Sequence, residues 1–357
     1  MDQQSNTATP EKHSIVNWLQ VPADRRKLLI EQTAIKEGFS SSAVEKDWWV
    51  TLALYAVFQT RYAPNLVFKG GTSLSKGWGL ITRFSEDIDL AIDRSVLGFG
   101  DHSLAPGDVK RLRKASAAFM GGEFLEVLQQ KMDELGVKRS ELRIWAEDIT
   151  SSDADPRNIF LEYDTFFPVN GYLKSRVTIE IGARSLREPY TMRPITSLIS
   201  SNFPGTQYGA PAFEIPTVNP ERTFLEKLML LHEEFLKEKP RHYRLSRHLY
   251  DIHAVMDSQH GEVAANNHEL LTTILTHRKT FNPIKGVEYD TLTIGQINFI
   301  PPAALIDNWE ADYKEMFDAM LGSGAPTFTV VTERLNVLKA RLTEIDEKRK
   351  VAERKPE

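Results

Sequence analysis

The spacing of apolar residues predicts that the chain begins with two helices. Residues 15–36 follow a polar first stretch and carry apolar side chains at helical intervals. A second helix is predicted from the serine run at 40–42, which offers N-caps, to about residue 59, because apolar residues again recur at helical spacing. Its adjacent tryptophans are expected to pack into a core.

A strand, a turn and a second strand are predicted next. Residues 66–68 form a short apolar run that ends at Gly70 and Gly71, and a helix is expected over 72–80. Residues 85–92 then alternate acidic and apolar side chains. A period of two is typical of a strand and not of a helix, so this segment should present its acidic side chains on one face.

The middle of the chain is predicted to contain one long helical segment and two more strands. Residues 106–135 have a helical apolar series that starts among lysines and arginines. Residues 158–163 and 172–181 are rich in apolar and β-branched residues, which favours strands, and 166–171 has the composition of a hairpin loop. Residues 197–220 are rich in serine, proline and glycine and are interpreted as a domain linker.

Beyond this linker the pattern is helical. Asn219 and Pro220 form a suitable N-cap and first-turn pair. Helices are predicted over 221–237, 243–256, 269–279, 309–321 and 332–354. The pattern as a whole predicts an α/β fold, with a small mixed sheet flanked by helices and a mainly helical C-terminal domain. The predicted division is a disordered tail at 1–14, a first domain at 15–205, a helical domain at 206–340 and a charged helical tail at 341–357. The helical domain is expected to complete a cleft with the first domain.

Composition narrows the protein classes. With 357 residues, 41% of them hydrophobic and 26% charged, the chain resembles an ordinary globular protein and is long enough for two domains. A net charge of -5 argues against a protein that coats nucleic acid through overall positive charge. The lack of cysteine excludes disulfides, zinc–thiolate sites and thiol catalysis. The sequence shows neither a signal peptide nor an apolar run of about 20 residues, which predicts a cytoplasmic protein without a membrane span.

Two acids in the predicted strand 85–92 are the strongest chemical signal. Asp87 and Asp89 are separated by one residue, so a strand directs both carboxylates to one face while Ile88 enters the core. Two unpaired carboxylates at this distance repel each other, and one or two Mg²⁺ ions would remove that cost. An exposed strand edge is the structural alternative. The glycine pair shortly upstream favours a metal site, because both halves of a phosphate-transfer site are then present.

The segment FKGGTSLSK at 68–76 supplies the second half of this site. A strand that turns at the glycine pair into a helix brings backbone N–H groups towards a phosphate. Thr72 and Ser73 add hydroxyl donors, and Lys76, about one turn later, adds a positive charge. The spacing does not fit a P-loop, and the Gly-x-Gly-x-x-Gly pattern of dinucleotide sites is absent. Phosphate binding beside a metal pair is the interpretation that remains.

Glu180 is the candidate for a third carboxylate. It lies in the segment VTIEI between apolar residues, so a strand would turn Glu180 and Thr178 to one face. Two-metal sites commonly use a further acid from a neighbouring strand. A single strand glutamate is otherwise more often solvated, and it is the pair upstream that favours a role for Glu180 in metal binding or catalysis.

Four segments of the chain carry a resemblance to a known family. They are EKDWWV at 45–50, residues 68–90 with the glycine pair and SEDIDL, TFLEKL at 223–228, and LYDI at 249–252. In these segments the chain resembles the AbiEii/AbiGii nucleotidyltransferase toxins of bacterial type IV toxin–antitoxin systems, to which the MenT toxins are related. The resemblance spans about residues 44–255 and implies a nucleotidyltransferase domain of the polymerase β-like type.

The resemblance also implies roles for individual residues. Residues 70–73 match the nucleotide-phosphate motif, and Asp87 and Asp89 match the metal pair. Lys227 and Asp251 match two later catalytic motifs. By pattern alone, Lys227 is a lysine beside a core stripe and Asp251 an acid on an amphipathic helix that would face water. The resemblance to the family implies instead that Lys227 and Asp251 face the metal pair and close a nucleotide cleft.

The implied function is Mg²⁺-dependent transfer of a nucleoside monophosphate from an NTP to an RNA end, with the tRNA 3′ end preferred, or to a protein hydroxyl. A cognate antitoxin is the implied partner. Two alternatives stay open: kinase-like transfer of the γ-phosphate, which uses the same groups, and a nucleotide-sensing binding module, which the intact acid pair disfavours. Lys46 and Asp47 are expected at the border of the cleft. Basic residues that could follow an RNA backbone, although such faces are usually only solvated, are Lys110, Arg111, Arg113, Lys114, Lys237, Lys239, Arg241, Arg244 and Arg247.

Overall fold

One mixed sheet of seven strands is present in the residues that the computed structural model describes, which are 14–100, 104–148, 156–168, 174–322 and 324–353. The strands are β1 (Leu66–Lys69), β2 (Asp87–Ile92), β3 (Leu142–Ala146), β4 (Asn158–Tyr163), β5 (Arg176–Gly182), β6 (Tyr190–Ile195) and β7 (Phe213–Val218). Their order is β3-β4-β5-β2-β1-β7-β6. The central strand β2 is antiparallel to β1 and parallel to β5.

Helices pack against this sheet and make up much of the C-terminal part of the chain, so the predicted α/β class is confirmed. They are α1 (Ala23–Glu37), α2 (Ser41–Val57), α3 (Gly70–Thr72), α4 (Pro106–Gly121), α5 (Glu123–Leu135), α6 (Leu198–Asn202), α7 (Pro220–Phe235), α8 (Ser246–Val255), α9 (Gln259–Asn266), α10 (His268–Phe281), α11 (Ile306–Met320) and α12 (Phe328–Glu353). Within the described ranges, no helix combines the length and the apolar character needed to cross a membrane.

Three segments predicted as continuous α-helices are interrupted or shortened in the structure. The first consists of a 3-10 helix, Ser14–Gln20, and of α1, and the break falls at Pro22, which lacks a backbone N–H. The helix predicted over 106–135 is divided into α4 and α5 at Gly122, which has a non-helical backbone with φ -120° and ψ -103°. The helix after the glycine pair is only the short α3, followed by a π-helical turn, Ser73–Gly77.

The segment 197–220 is structured, and its interpretation as a linker is wrong. It contains α6, which Ser197 caps by accepting from Ser200 N at 3.0 Å, and β7. β7 pairs with β1 on one side and with β6 on the other. Ser200 and Ser201 lie within α6 and Pro216 lies within β7, so these residues do not mark a structureless connection. Because β7 follows residue 206, the sheet extends beyond the predicted boundary.

Buried apolar side chains form two clusters. The first joins α1, α2, α4 and α5 to the sheet, and the second joins α7, α8, α10, α11 and α12 to Leu74, Ile81 and Phe84 from the segment between β1 and β2. The division of the chain into domains stays a prediction. Residues 1–13 and 354–357 of the predicted tails, and residues 169–173 of the predicted hairpin loop and strand, lie outside the described residues.

The two faces of the sheet differ in polarity at its centre. On β2, Ile88 and Leu90 are fully buried in the first cluster, while Asp87 and Asp89 lie on the opposite face. β5 has the same alternation, with its valine and isoleucines buried. The polar face therefore carries the predicted chemistry, and the apolar face holds the strands in register.

Candidate active site

Asp87 and Asp89 lie on the polar face of the central strand β2. The intervening Ile88 is fully buried on the opposite face, which fixes the register of the strand. Asp87 lies opposite Thr178 of β5, and Asp89 lies opposite Glu180. The three predicted acids are thus on one face of two neighbouring strands.

The glycine pair approaches the acid pair through its backbone. β1 ends at Lys69, the register partner of Asp89, and Gly70 follows with φ +81°. A Cβ atom at Gly70 would overlap the carboxylate of Asp89. Both the left-handed backbone and this close approach require glycine. The start of α3 therefore lies directly against the acid pair.

Thr72 and Ser73 use their hydroxyl groups within the turn. Thr72 Oγ1 donates to the carbonyl of Asp87 and lies 2.9 Å from Ser85 Oγ. Ser73 Oγ donates to Gly70 O at 2.8 Å. These bonds hold the turn against β2. Contact between these hydroxyls and a phosphate stays a prediction.

Lys76 forms a buried ion pair with Asp47. Its Nζ lies 2.6 Å from Asp47 Oδ1 and donates to Thr196 O at 3.1 Å, and the two charged side chains are 8% and 7% exposed. Asp47 also accepts from Leu198 N at 2.7 Å. The ammonium of Lys76 is thus engaged by α2 and by the segment before α6. A phosphate contact of Lys76 stays a prediction.

The acid pair offers carboxylate oxygens, which are the ligands that Mg²⁺ prefers, and an ion bound there stays a prediction. In the part of the chain that the structure describes, no three Asp, Glu or His side chains are grouped as a ligand set for a metal ion. Mg²⁺ commonly takes only one or two carboxylates from a protein and adds phosphate oxygens and water. Asp87 and Asp89 supply such a pair of oxygen donors. A metal contact of Glu180 is not required for this site and stays a prediction.

The surroundings of Asp87 disfavour its negative charge. Burial raises the pKa of Asp87 most, and the charges of Glu86 and Asp89 raise it further. Arg247 opposes this shift, with its Nη1 atom 3.5 Å from Asp87 Oδ2. A cation bound at Asp87 would favour the ionised carboxylate in the same way. Arg247 belongs to the predicted basic set and reaches the acid pair.

Lys227 and Asp251 form a buried cluster with Arg83 and His248. Asp251 is fully buried and accepts from Arg83 Nε at 2.6 Å and Nη2 at 2.8 Å, while Lys227 Nζ lies 2.8 Å from Asp251 Oδ2. Burial opposes the charge of Asp251, but Arg83 and Lys227 hold its pKa well below the usual value. Burial and then the charge of Lys227 lower the pKa of His248, so the neutral imidazole accepts from Lys227 Nζ at 3.2 Å.

Arg83 extends this cluster to the glycine turn. A Cβ atom at Gly71 would lie 2.6 Å from Arg83 Nη2, so the guanidinium lies against this glycine. Arg83 and Lys227 both pair with the carboxylate of Asp251, so two positively charged groups meet at this carboxylate. Positive charge next to backbone N–H groups suits a phosphate. No local pattern marks Arg83, because its partner Asp251 is 168 residues away in sequence.

Lys46, Glu86 and Arg244 line a cleft beside Asp87. Glu86 is buried, forms an ion pair with Lys46 and accepts from Arg244 Nη2 at 2.6 Å. Burial opposes the charge of Glu86, but the two cations lower its pKa. The cleft has a volume of about 250 Å³, and its basic lining also includes Arg176. Lys46 therefore lines this cleft, whereas Asp47 is paired with Lys76 and is not among the residues that line it; nucleotide binding in this cleft stays a prediction.

Arg244 is held in a backbone conformation that few residues other than glycine adopt. Its φ is +59°, in the left-handed region. Asp312 of α11 accepts from the backbone N–H groups of Arg244 and, at 2.9 Å, of Ser246. These bonds fix the turn before α8 and direct the Arg244 side chain to Glu86.

Comparisons with known proteins cover most of the chain. The model of one protein family, described as nucleotidyl transferase AbiEii toxin, type IV TA system, matches residues 52–339, a range that includes the glycine pair and the acid pair. A direct comparison with curated proteins gave no match. Among solved structures, the chain is similar to MenT4, a nucleotidyltransferase toxin from Mycobacterium tuberculosis, with 19% identity, a TM-score of 0.43, and coverage of 90% of this chain and 94% of that one. It is also similar to JHP933 from Helicobacter pylori, with 16% identity, a TM-score of 0.42, and coverage of 88% and 97%.

Proposed function

Because the chain belongs to the AbiEii family of type IV toxins and is a nucleotidyltransferase, we propose that it transfers a nucleoside monophosphate from an NTP to an RNA end with the help of Mg²⁺. The observation that carries this proposal is the contact between the two halves of the site. Gly70 lies so close to Asp89 that a side chain there would overlap its carboxylate. A phosphate held at the glycine turn is therefore adjacent to the acids.

The NTP phosphates are proposed to bind on the β1 side of the acid pair. Backbone N–H groups at the start of α3 donate to the β- and γ-phosphates, and Arg83 adds positive charge there. Lys227 and Asp251 act as positioning residues, since Asp251 holds the guanidinium of Arg83 through two hydrogen bonds. When bound at Asp87 and Asp89, Mg²⁺ supplies positive charge at the reacting phosphate.

The reaction is an in-line displacement at the α-phosphate. The acceptor oxygen forms a bond to the α-phosphorus, the bond from that phosphorus to the bridging oxygen breaks, and pyrophosphate leaves. We assign to Glu180, the register partner of Asp89, the acceptance of the proton from the acceptor hydroxyl. The glycine turn and Arg83 keep the leaving pyrophosphate in line.

Labelled nucleotides test this proposal. The purified protein is incubated with Mg²⁺, total cellular RNA and each NTP labelled at the α- or the γ-phosphate. Label from the α-position on RNA supports nucleotidyl transfer, and it should disappear in Asp87→Ala and Asp89→Ala. Label from the γ-position on RNA instead shows kinase-like transfer and contradicts the proposal. Asp290→Asn, which changes an exposed acid paired with Lys279, is the control and should transfer normally.

The family also implies an NTP substrate and a cognate antitoxin protein. We further propose the tRNA 3′ end as the acceptor and the cytoplasm as the location. Sequencing of the labelled RNA tests the acceptor. Label in tRNA, removed by digestion of its 3′ end, is expected; label that resists ribonuclease and stays with protein would identify a protein hydroxyl as the acceptor instead.

A further inference from the structure

Asp87 is the first member of a row of side chains that crosses the polar face of the sheet. Asp87 is in register with Thr178, Thr178 with Phe160, and Phe160 with Trp145. Because neighbouring strands are about 4.8 Å apart, this row extends about 14 Å from β2 to β3. It leads away from the glycine turn, which lies on the opposite side of β2.

The two aromatic residues of this row lie outside both apolar cores. Phe160 and Trp145 contact each other with ring centroids 5.5 Å apart, but neither belongs to the two clusters of buried side chains. Trp145 is partly exposed, whereas Phe160 is buried, with 9% of its surface exposed. The exposed part of Trp145 on the polar face is therefore not explained by core packing, which uses the opposite face.

Arginines stack on both rings. Arg143 lies over Trp145 at 4.7 Å, and Arg176 lies over Phe160 at 4.1 Å. Two acids also lie on this part of the face: Glu162, between the two arginines in register, and Glu147, which lines the cleft beside Phe160. Aromatic rings interleaved with arginines are what proteins use to bind single strands, because bases stack on the rings and the cations follow the phosphates.

This face is continuous with the cleft beside Asp87. Phe160 and Arg176 line that cleft together with Lys46, Lys174 and Asp87. A chain lying over Trp145 and Phe160 would therefore end at the acid pair.

We propose that the face of β3, β4 and β5 binds the single-stranded 3′ end of the acceptor RNA, with a base stacked on Trp145 and phosphates near Arg143 and Arg176. This inference rests on the proposed function. The NTP then occupies the β1 side of the acid pair and the acceptor the β5 side, so that the terminal hydroxyl meets the α-phosphate between them. Duplex RNA would not fit this arrangement, because paired bases have no free face for stacking.

Binding of a fluorescent ten-nucleotide RNA in the absence of NTP tests the inference directly. Loss of one stacking contact should weaken the binding by roughly fivefold to a hundredfold in Trp145→Leu, and Trp145→Phe should restore most of it. Arg143→Ala should weaken binding and reduce its dependence on salt. Tyr190→Leu, which changes an exposed aromatic on the far edge strand β6, is the matched control. Wild-type affinity in both Trp145→Leu and Arg143→Ala would overturn the inference.

Transfer kinetics separate this inference from the proposed function. With total RNA as acceptor, Trp145→Leu should raise the KM for RNA and leave the KM for NTP unchanged. If the wild type labels RNA and Trp145→Leu has the same KM for RNA, the proposed RNA-binding face is wrong while the proposed function holds. If the wild type labels only protein, both are wrong. If the wild type labels nothing, the proposed function fails, and the binding measurement alone decides whether the face of β3, β4 and β5 binds RNA.

Discussion

Asp87 and Asp89 cannot move apart without a shift in the register of β2, because Ile88 and Leu90 are fully buried on its other face. At the residue scale this places a carboxylate where its charge is unfavourable: burial, and then the charge of Glu86, raise the pKa of Asp87. Because the pKa of Asp87 is higher in the folded than in the unfolded state, Asp87 contributes most to the free energy of unfolding at pH values where it is protonated. This contribution is lost as the pH rises through the folded-state pKa.

We expect Asp87→Asn to raise the melting temperature of the metal-free protein at neutral pH. The amide keeps the size of the side chain and removes the unfavourable charge. Mg²⁺ should stabilise the wild type, by about 2.7 kcal/mol at 100 times its Kd, and should have no effect on Asp87→Asn. Thermal unfolding with and without Mg²⁺ measures both effects. Asp290→Asn should respond to Mg²⁺ like the wild type, and a full response in Asp87→Asn would mean that the ion binds elsewhere.

Gly70→Ala should abolish transfer, whereas Gly98→Ala should not. Both glycines have φ +81°, so alanine costs roughly 1–2 kcal/mol of backbone strain at either position. Only at Gly70 does the added Cβ overlap Asp89; nothing lies within 4 Å of it at Gly98. Unfolding midpoints and transfer rates of the two variants separate strain from overlap. Equal transfer by both variants would show that the contact with Asp89 is unimportant.

At the scale of elements, the sequence predicts some strands and not others. β1 and β2 are predictable because apolar residues alternate or run together and a glycine pair ends β1. β6 and β7 each contain a proline, Pro194 and Pro216, and prolines normally argue against a strand within a sheet. The two strands pair with each other along their whole length, and β7 also pairs with β1, which is distant in sequence; the local pattern does not reveal these contacts.

The same distinction applies to the candidate site. The acid pair and the glycine pair are predictable because they lie within 20 residues of each other and each has a recognisable spacing. The pairing of Arg83 with Asp251 is not predictable from the sequence, because it depends on how α8 packs against the segment between β1 and β2. Only the resemblance to a family pointed to Lys227 and Asp251, and nothing in the pattern pointed to Arg83.

Helices α7 and α8 hold their charges in one cluster, and two variants should separate structure from function there. Asp251→Asn leaves Arg83 and Lys227 without a carboxylate, and breaking such a buried pair costs about 3–5 kcal/mol. Lys227→Met leaves the bidentate pair of Arg83 and Asp251 intact, so its melting temperature should change little. Its transfer rate should fall roughly tenfold to a hundredfold, as expected for one charged hydrogen bond.

Urea unfolding and single-turnover transfer measure these two quantities. Lys227→Arg is the conservative control, since it keeps the positive charge next to Asp251. If Lys227→Met transfers at the wild-type rate, Lys227 has no part in positioning Arg83. If Asp251→Asn unfolds like the wild type, the cluster contributes nothing to the fold.

At the scale of the whole molecule, ion pairs join the two apolar cores around the site. Arg83 and Glu86, between β1 and β2, pair with Asp251 and Arg244 of the C-terminal part. Asp312 of α11 holds the turn that carries Arg244. Movement of one core relative to the other would therefore change the distances between these charged side chains and the acid pair.

Two partly buried histidines, His248 and His277, should make the protein less stable in mild acid. Burial lowers the pKa of His277 to about 4, and burial also lowers that of His248. Since unfolded histidine titrates near 6.5, the unfolded state takes up protons first, and the stability falls as the pH decreases below about 6.5, by up to about 1.4 kcal/mol per pH unit for each histidine. Urea unfolding at pH 7 and pH 5 measures the loss. It should be smaller in His277→Gln and unchanged in His268→Gln, which replaces an exposed imidazole.

Expression of the chain in bacteria without its antitoxin should arrest growth. The family consists of toxins, and transfer to an essential RNA would stop translation. Asp89→Ala, produced at the same level, should allow normal growth, because it removes one of the two proposed metal ligands. Growth curves and immunoblots provide the comparison. Growth at the normal rate with active wild-type protein would contradict a role in growth arrest.

The overlap between a side chain at position 70 and the carboxylate of Asp89 has an evolutionary consequence. A lineage that keeps the acid cannot accept alanine at position 70, whereas a lineage that has lost the acid is released from this constraint and only the left-handed backbone still favours glycine. The two positions should therefore change together among homologues, with the acid lost first. Degenerate members of the family could then be recognised by a bulky residue at this glycine before any activity is measured.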